Sequence, residues 1–340
     1  MLLVGAGLIG RRHAAAIERS ARATLCGVVD PDPRARSWAE AMGAPCFAAL
    51  GDALEGAGAE AVLVATPNTL HAGNALGAIE KRLPVLVEKP IAATLADARL
   101  MVRAAEAAGV PLAVGHHRRH DPILAAAREA IGAGRIGRVV AAHASAWMAK
   151  PDEYFDVAWR REPGAGPVLV NLIHDIDALQ HLCGPIGEVT ALVSNAVRGH
   201  AVEDTAAAAV RFASGALGTL GVSDTAVSPW SWELTAAENP AYPATGQLCA
   251  TITGTRGALS IPDLVEWSQK PGDAWWDPIH ATRRPREAGD ALVRQIDQFA
   301  AVARGEAEPL ASGRDGLLAL AVVDAIERSA REGRTVTVDA

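Results

Sequence analysis

Lysine is nearly absent from this chain: Lys81, Lys89, Lys150 and Lys270 are the four in 340 residues, although arginine is plentiful. A lysine at a buried position is then less easily a random basic choice. Lysine, unlike arginine, can be desolvated until its pKa falls into the range of acid–base work. Cysteine is scarce too, and Cys26, Cys46, Cys183 and Cys249 lie far apart with neither C-x-x-C nor a Cys/His metal spacing. Free thiols and no bound metal are expected. No apolar run approaches the ~20 residues of a membrane span, so no membrane partner is expected. The amino end lacks the charged and apolar regions of a secretory leader, which points to the cytoplasm. Positive charge is also short. The net charge is −7, and the pairs Arg118-Arg119, Arg160-Arg161 and Arg283-Arg284 are scattered, which argues against a nucleic-acid partner.

What is present organises around Val85-Leu-Val-Glu-Lys-Pro-Ile91. Three apolar residues between Pro84 and Pro90 read as a short strand buried on both faces. Glu88 and Lys89 then fall at the carboxyl edge of a parallel sheet, where open α/β proteins bind ligands. A surface lysine paired with Glu88 is the competing reading. At the start of the chain, Leu2-Leu-Val4 runs into Gly5-Ala-Gly7-Leu8-Ile9-Gly10 and then a helical pattern. This is the glycine fingerprint of dinucleotide binding in its required setting, strand before and helix after. The strand has almost nothing ahead of it, so either the natural start lies upstream or the first strand is clipped. Asp30 closes the second strand, at the spacing where a carboxylate accepts the adenosine ribose hydroxyls and favours NAD over NADP. Arg34 and Arg36 could soften that preference, and Asp30 could instead cap a helix. NAD is the expected cofactor, with NADP not excluded.

Strand–helix alternation continues to Val114. Ala61–Ala65 is a buried strand that delivers Thr66, Pro67 and Asn68 to the carboxyl edge; His71 opens the next helix, either as a structural residue or facing the cofactor lane. The character changes at Gly115–Pro122, which sets the expected domains at 1–117 and 118–340, with packing of the C-terminal helices back on the first domain left open. Helix 122–133, a strand over 137–146 and an irregular stretch with Tyr154, Trp159 and Arg160 follow. The run 168–182 reads as a helix carrying Asn171, His174 and Asp177 at i, i+3 and i+6 along one face. Strands are expected over 187–195, 204–212, 216–222, 248–253 and 258–261, no element is assignable over 263–290, and helices over 290–304 and 313–332 close the chain. The fold class is α/β: an N-terminal doubly wound parallel sheet of Rossmann type, then an α+β domain with a largely antiparallel open sheet.

Taken in order, Gly5-Ala-Gly-Leu-Ile-Gly10, Ala65-Thr-Pro-Asn68, Glu88-Lys-Pro90, Arg119–Pro122, His174-x-x-Asp177, Glu203-Asp-Thr205, Phe212-Ala-Ser-Gly-Ala216 and Gly254-Thr-Arg-Gly257 resemble the Gfo/Idh/MocA family across nearly the whole chain. The resemblance implies an NAD(P)-dependent oxidoreductase acting on a carbinol carbon of a sugar, inositol or related cyclic polyol. It implies Lys89 as the group that holds the substrate oxygen and assists proton transfer, His174 as general acid–base, and a cis Lys89–Pro90 peptide. It also implies a homodimer or homotetramer formed through the C-terminal sheet. Gly5, Gly7, Leu8, Ile9, Gly10, Asp30, Thr66, Pro67, Asn68, His71, Glu88 and Lys89 are the candidate cofactor residues. Asn171, Asp177, Trp159, Arg160, Tyr154 and His117 are the candidate substrate contacts, with Trp159 equally readable as packing and Arg160 as a surface ion pair. One departure stands out: the family often has Asp four residues before the histidine, and here that residue is Val170. That keeps open a non-catalytic dinucleotide-binding sensor, or a dehydrogenase of a dihydrodiol-type substrate.

Overall fold

Short aliphatic runs, Leu2–Val4, Val62–Val64, Val85–Val87 and Leu112–Val114, form strands with no exposed face. The computed structural model describes residues 1–270 and 272–340. In the first third, strands and helices alternate as β1 (Leu2–Val4), α1 (Leu8–Arg19), β2 (Gly27–Val29), α2 (Pro33–Ala41), β3 (Cys46–Phe47), α3 (Leu50–Gly56), β4 (Val62–Val64), α4 (His71–Glu80), β5 (Val85–Val87), α5 (Leu95–Ala108) and β6 (Leu112–Val114). The six strands make one parallel sheet in the order β3-β2-β1-β4-β5-β6. Order reverses at β1, which marks the switch point where such sheets bind ligands.

Helix starts follow local chemistry. Asp32 caps α2 by accepting the Arg34 N–H, with Pro33 at the first helical position, and Thr94 caps α5 by accepting the Asp97 N–H.

The rest of the chain runs α6 (Pro122–Gly132), β7 (Val139–Trp147), a π-helical turn at Val168–Leu172, α7 (Ile173–Cys183), β8 (Ile186–Ser194), β9 (Thr205–Phe212), β10 (Leu217–Ser223), α8 (Trp232–Thr235), β11 (Ala250–Gly254), β12 (Gly257–Ile261), β13 (Val265–Ser268), β14 (His280–Arg283), α9 (Ala291–Ala303), α10 (Gly313–Glu332) and β15 (Val336–Thr337). Nine strands form a second sheet in the order β14-β13-β12-β11-β7-β10-β9-β8-β15. Every pair in it is antiparallel except β7 with β10, so the sheet is mixed. The unassigned stretch 263–290 holds β13 and β14. All four residues of β14 are exposed, so this edge strand has no buried face to imprint an alternation.

The chain divides into two compact units, Met1–His120 with Asp290–Leu318 and Ala340, and Asp121–Gly289 with Ala319–Asp339. The first is therefore discontinuous in sequence. Its core joins Leu3, Leu63 and Leu86 of the sheet to Ile17 of α1 and to Ile296, Phe299 and Val302 of α9. The second unit's core sets Leu172, Ile176 and Leu179 against Ala144, Val210, Leu220 and Ile252, together with Val322 and Ile326 of α10. The opposite face of that sheet is open. Leu192, Ala207, Ala209, Leu217 and Trp267 on it are exposed. No helix of the described residues is long and apolar enough to cross a membrane.

Candidate active site

Backbone hydrogen bonds align the residues that follow the parallel strands into one row. Gly5 N–H donates to Val29 O, Ala65 N–H to Val4 O, Glu88 N–H to Val64 O and Gly115 N–H to Val87 O, at 2.7–2.8 Å. Gly5 sits at φ +99°, and a Cβ there would lie 2.6 Å from the Ala65 carbonyl oxygen. A Cβ on Gly10 would run into the Gly5 carbonyl, while one on Gly7 would meet nothing. The turn is thus closed at Gly5 and Gly10 and open at Gly7, as a pyrophosphate approaching the backbone requires. No side chain caps α1, and Leu8 and Ile9 in its first turn are exposed, so its N-terminal N–H groups are available to an anion.

Asp30 completes this cradle. Its Oδ2 accepts the Ala6 N–H at 2.7 Å and its Oδ1 the Asp32 N–H at 2.9 Å. These bonds fix the carboxylate and leave lone pairs for ribose hydroxyls. Helix capping falls to Asp32, not Asp30, and Arg34 is engaged by Asp32 through Nε and Nη2. These features fit a bound NAD.

Further along the row, Thr66 and Asn68 are half-buried and Pro67 is exposed. His71 is fully buried. Its Nδ1 lies 2.8 Å from Pro90 O and its Nε2 2.9 Å from Thr66 O, so it ties two loops together and presents no surface to a cofactor. Burial drives its imidazole below its ordinary pKa, against the pull of both carbonyls and of Glu88. Glu88 is engaged as well: His13 Nε2–H donates to Oε1 at 2.6 Å and the Lys89 N–H to Oε2 at 3.0 Å. Burial pushes the Glu88 carboxyl up, but the His13 bond and the fields of His13, His117 and Lys89 outweigh it and bring it down to about 2. His117 is half-buried in the short 3-10 turn His117–His120. The Lys89–Pro90 peptide is cis, as is Ile261–Pro262.

In the second unit, His174 and Asp177 lie on α7 with 8% and 1% of their surface exposed. Asn171 precedes them in the π turn, where Ile173 N–H reaches back to Val168 O. The α-helical spacing expected for all three therefore holds only for His174 and Asp177. Asn171 is half-buried, and its Oδ1 has no hydrogen-bond partner among the described residues. Tyr154, Trp159 and Arg160 form one aromatic–cation group: the guanidinium of Arg160 stands 4.1 Å from the Tyr154 ring and 5.6 Å from the Trp159 ring, and its Nη1 donates to Tyr154 O at 2.7 Å. Trp159 is 57% exposed, so it is not core packing in this chain.

The sequence does not disclose what three further residues do. His13 falls within a helical pattern, where its burial on α1 is the one signal of a role. Glu203 accepts the Val168 N–H at 3.1 Å at the start of the π turn, and burial raises its carboxyl pKa. Lys150 is buried over the Tyr154 ring and 3.8 Å from Asp224, with its ammonium pKa lowered by desolvation.

Comparison with known proteins adds the family. Residues 1–116 match the model described as "Oxidoreductase family, NAD-binding Rossmann fold", and residues 128–338 match "Oxidoreductase family, C-terminal alpha/beta domain". An inositol 2-dehydrogenase of Rhizobium meliloti (strain 1021) is 30% identical over 99% of this chain and 98% of its own length. A 1,5-anhydro-D-fructose reductase of Ensifer adhaerens is 31% identical over 82% of this chain and 80% of its own. The crystal structure of the WlbA dehydrogenase from Bordetella pertussis, in complex with NADH and UDP-GlcNAcA, superposes with a TM-score of 0.81 at 29% identity, covering 100% of this chain and 98% of that one. With its glycine turn and Asp30 built to hold NAD, and with both domain models matched, this chain belongs to the Gfo/Idh/MocA family of NAD-binding oxidoreductases.

Proposed function

We propose that the protein is a dehydrogenase of a secondary alcohol on a sugar, inositol or related cyclic polyol. The observation that carries this reading is the placement of Glu88-Lys89 in the same strand-end row as Gly5, Asp30 and Ala65. Lys89 is thereby delivered to the edge at which the dinucleotide cradle is built. The relatives named for an inositol and for an anhydrosugar support the substrate class.

When bound, the nicotinamide supplies the hydride acceptor. The chain's residues do the rest. The glycine turn and the α1 N-terminus hold the pyrophosphate, and Asp30 accepts the ribose hydroxyls and disfavours a 2′-phosphate. Thr66, Pro67 and Asn68 line the edge beside the turn. Lys89 holds the substrate hydroxyl oxygen, and His174 takes its proton as the C–H bond breaks and the ketone forms. Asn171, Asp177, Tyr154, Trp159, Arg160 and His117 are the proposed substrate contacts. Asn171 stands out among them because its Oδ1 is buried without a hydrogen-bond partner among the described residues. Val170 keeps a sensor reading in view, since no carboxylate stands four residues before His174 to tune it.

We also assign self-association to the open face of the second sheet, where exposed Leu192, Leu217 and Trp267 stand among small alanines. The test of the main reading is nicotinamide reduction with NAD and NADP in parallel, across inositols, aldoses and dihydrodiols. Turnover on one polyol class is the expected result. NADH binding with silence across the whole panel would favour the sensor.

A further inference from the structure

We propose that His13 and His71 are positioning residues for Lys89, two buried imidazoles that grip the residue before it and the residue after it. The inference rests on the reading of Lys89 as a catalytic group and asks what aims it.

The grip on the amino side runs from α1. His13 has no exposed surface, and its Nε2–H donates to Glu88 Oε1 at 2.6 Å. A carboxylate ionised down to about pH 2 is an acceptor only, so the ring nitrogen facing it is the donor. The other Glu88 oxygen, Oε2, accepts the backbone N–H of Lys89 at 3.0 Å. One carboxylate thus joins a helix on the face of the sheet to the main chain of Lys89. It lies hard against Gly115, where a Cβ would stand 2.9 Å from Glu88 Oε1. His13 Nδ1 has no hydrogen-bond partner among the described residues, so its polar engagement there is spent on Glu88.

The grip on the carboxyl side runs from α4. His71, also with no exposed surface, places Nδ1 2.8 Å from Pro90 O and Nε2 2.9 Å from Thr66 O. It sits between the segment just after Lys89 and the Thr66-Pro67-Asn68 turn, donating to one of the two carbonyls when neutral and to both when protonated. Both imidazoles are sealed from solvent, so neither touches substrate or dinucleotide. They reach Lys89 through its two neighbours, Glu88 and Pro90, and His71 also faces the Thr66 carbonyl. Side chains that lock a catalytic group have large leverage, since a misplacement of ~1 Å costs on the order of a hundredfold in rate.

The scarcity of lysine makes this testable without relying on activity alone. In protein carrying 13C-labelled lysine, four side-chain ε-methylene signals are expected, and Lys89→Ala identifies the one from Lys89. We would record these spectra, the NADH dissociation constant and kcat for His13→Leu, His71→Leu, His13→Gln and His71→Gln. The expected result is a displaced Lys89 signal with Lys81, Lys150 and Lys270 unmoved, and kcat down about tenfold or more in the Leu variants. NADH affinity should fall less than kcat, because neither ring reaches the cofactor surface itself. His13→Gln, which keeps an N–H for Glu88, should recover most of the loss. An unmoved Lys89 signal in both Leu variants would overturn the proposal, as would equal movement of all four. If a Leu variant does not fold, its Gln counterpart is read against the same signals. Near-normal turnover of Lys89→Ala would instead sink the catalytic reading of Lys89, whatever the histidine variants do.

Discussion

Gly115 stands against Glu88 so closely that a Cβ would lie 2.9 Å from the carboxylate oxygen and 3.0 Å from the Glu88 Cα. The backbone is the obstacle as much as the side chain, so the clash cannot be relieved by a rotamer change. Gly115→Ala should cost about 1–3 kcal/mol of stability and lower kcat by disturbing the carboxylate that holds Lys89. Thermal unfolding and steady-state kinetics on the same preparation check both parts.

Lys89→Ala should reduce kcat by roughly two to four orders of magnitude, far more than it weakens NADH binding. Stopped-flow turnover with the best substrate, alongside fluorescence titration of NADH, separates the two effects.

Asp30 offers a second, independent readout. Its Oδ2 holds the Ala6 N–H at 2.7 Å, and its charge would face the adenosine ribose of a bound dinucleotide. Asp30→Ala should raise the KM for NAD roughly tenfold to a hundredfold, the worth of one or two charge-assisted hydrogen bonds. It should raise the KM for NADP less, because a repulsive charge goes with it. The ratio of the two KM values is the measurement.

Glu88 sets part of the acid stability. Its folded pKa of about 2 lies below the ordinary 4.5, so it contributes stability fully present above about pH 4.5 and lost as pH falls through about 2. The shift corresponds to about 3 kcal/mol. Glu88→Gln should flatten the acid limb of the stability curve in that window, and urea titrations between pH 2 and 6 would reveal it. A limb of unchanged slope would assign the acid sensitivity to other carboxylates.

Leu192 and Leu217 are 75% and 52% exposed on the open sheet face. Changing both to Glu should lower the mass seen by light scattering while moving monomer stability by only about 0.5 kcal/mol per site. Wild-type and variant eluting at the same mass would place self-association, if any, elsewhere.

Much of the first unit can be read from its residues because fully buried strands announce themselves as apolar runs. Val62–Val64, Val85–Val87 and Leu112–Val114 need no partner to be recognised. The glycine turn and Asp30 are legible for a related reason, since their spacing is dictated by one ligand. His13 is not, because what makes it matter is Glu88, 75 residues away. His71 is placed correctly at a helix start, but its partners are backbone carbonyls, which carry no residue identity to read. The π turn before α7 is silent as well: Val168-Leu-Val-Asn-Leu172 supports an α-helix equally well, and only the Ile173 to Val168 bond distinguishes them. β14 fails at the other extreme, an exposed edge with no pattern at all.

The core of the dinucleotide-binding sheet includes Ile296, Phe299 and Val302, all from α9, which follows the last strand of that sheet only after the whole of β7 to β14. During synthesis the first sheet emerges from the ribosome long before its covering helix does. Its six strands must wait, with Leu3, Leu63 and Leu86 lacking part of their cover, until Ala291–Ala303 has been translated. A gene fragment ending at His120 would hold every strand of the nucleotide sheet and lack the side chains that seal it. Expression of such a fragment should give aggregate, and supplying the segment around Ala291–Ala303 on a linker should restore a soluble, NADH-binding module.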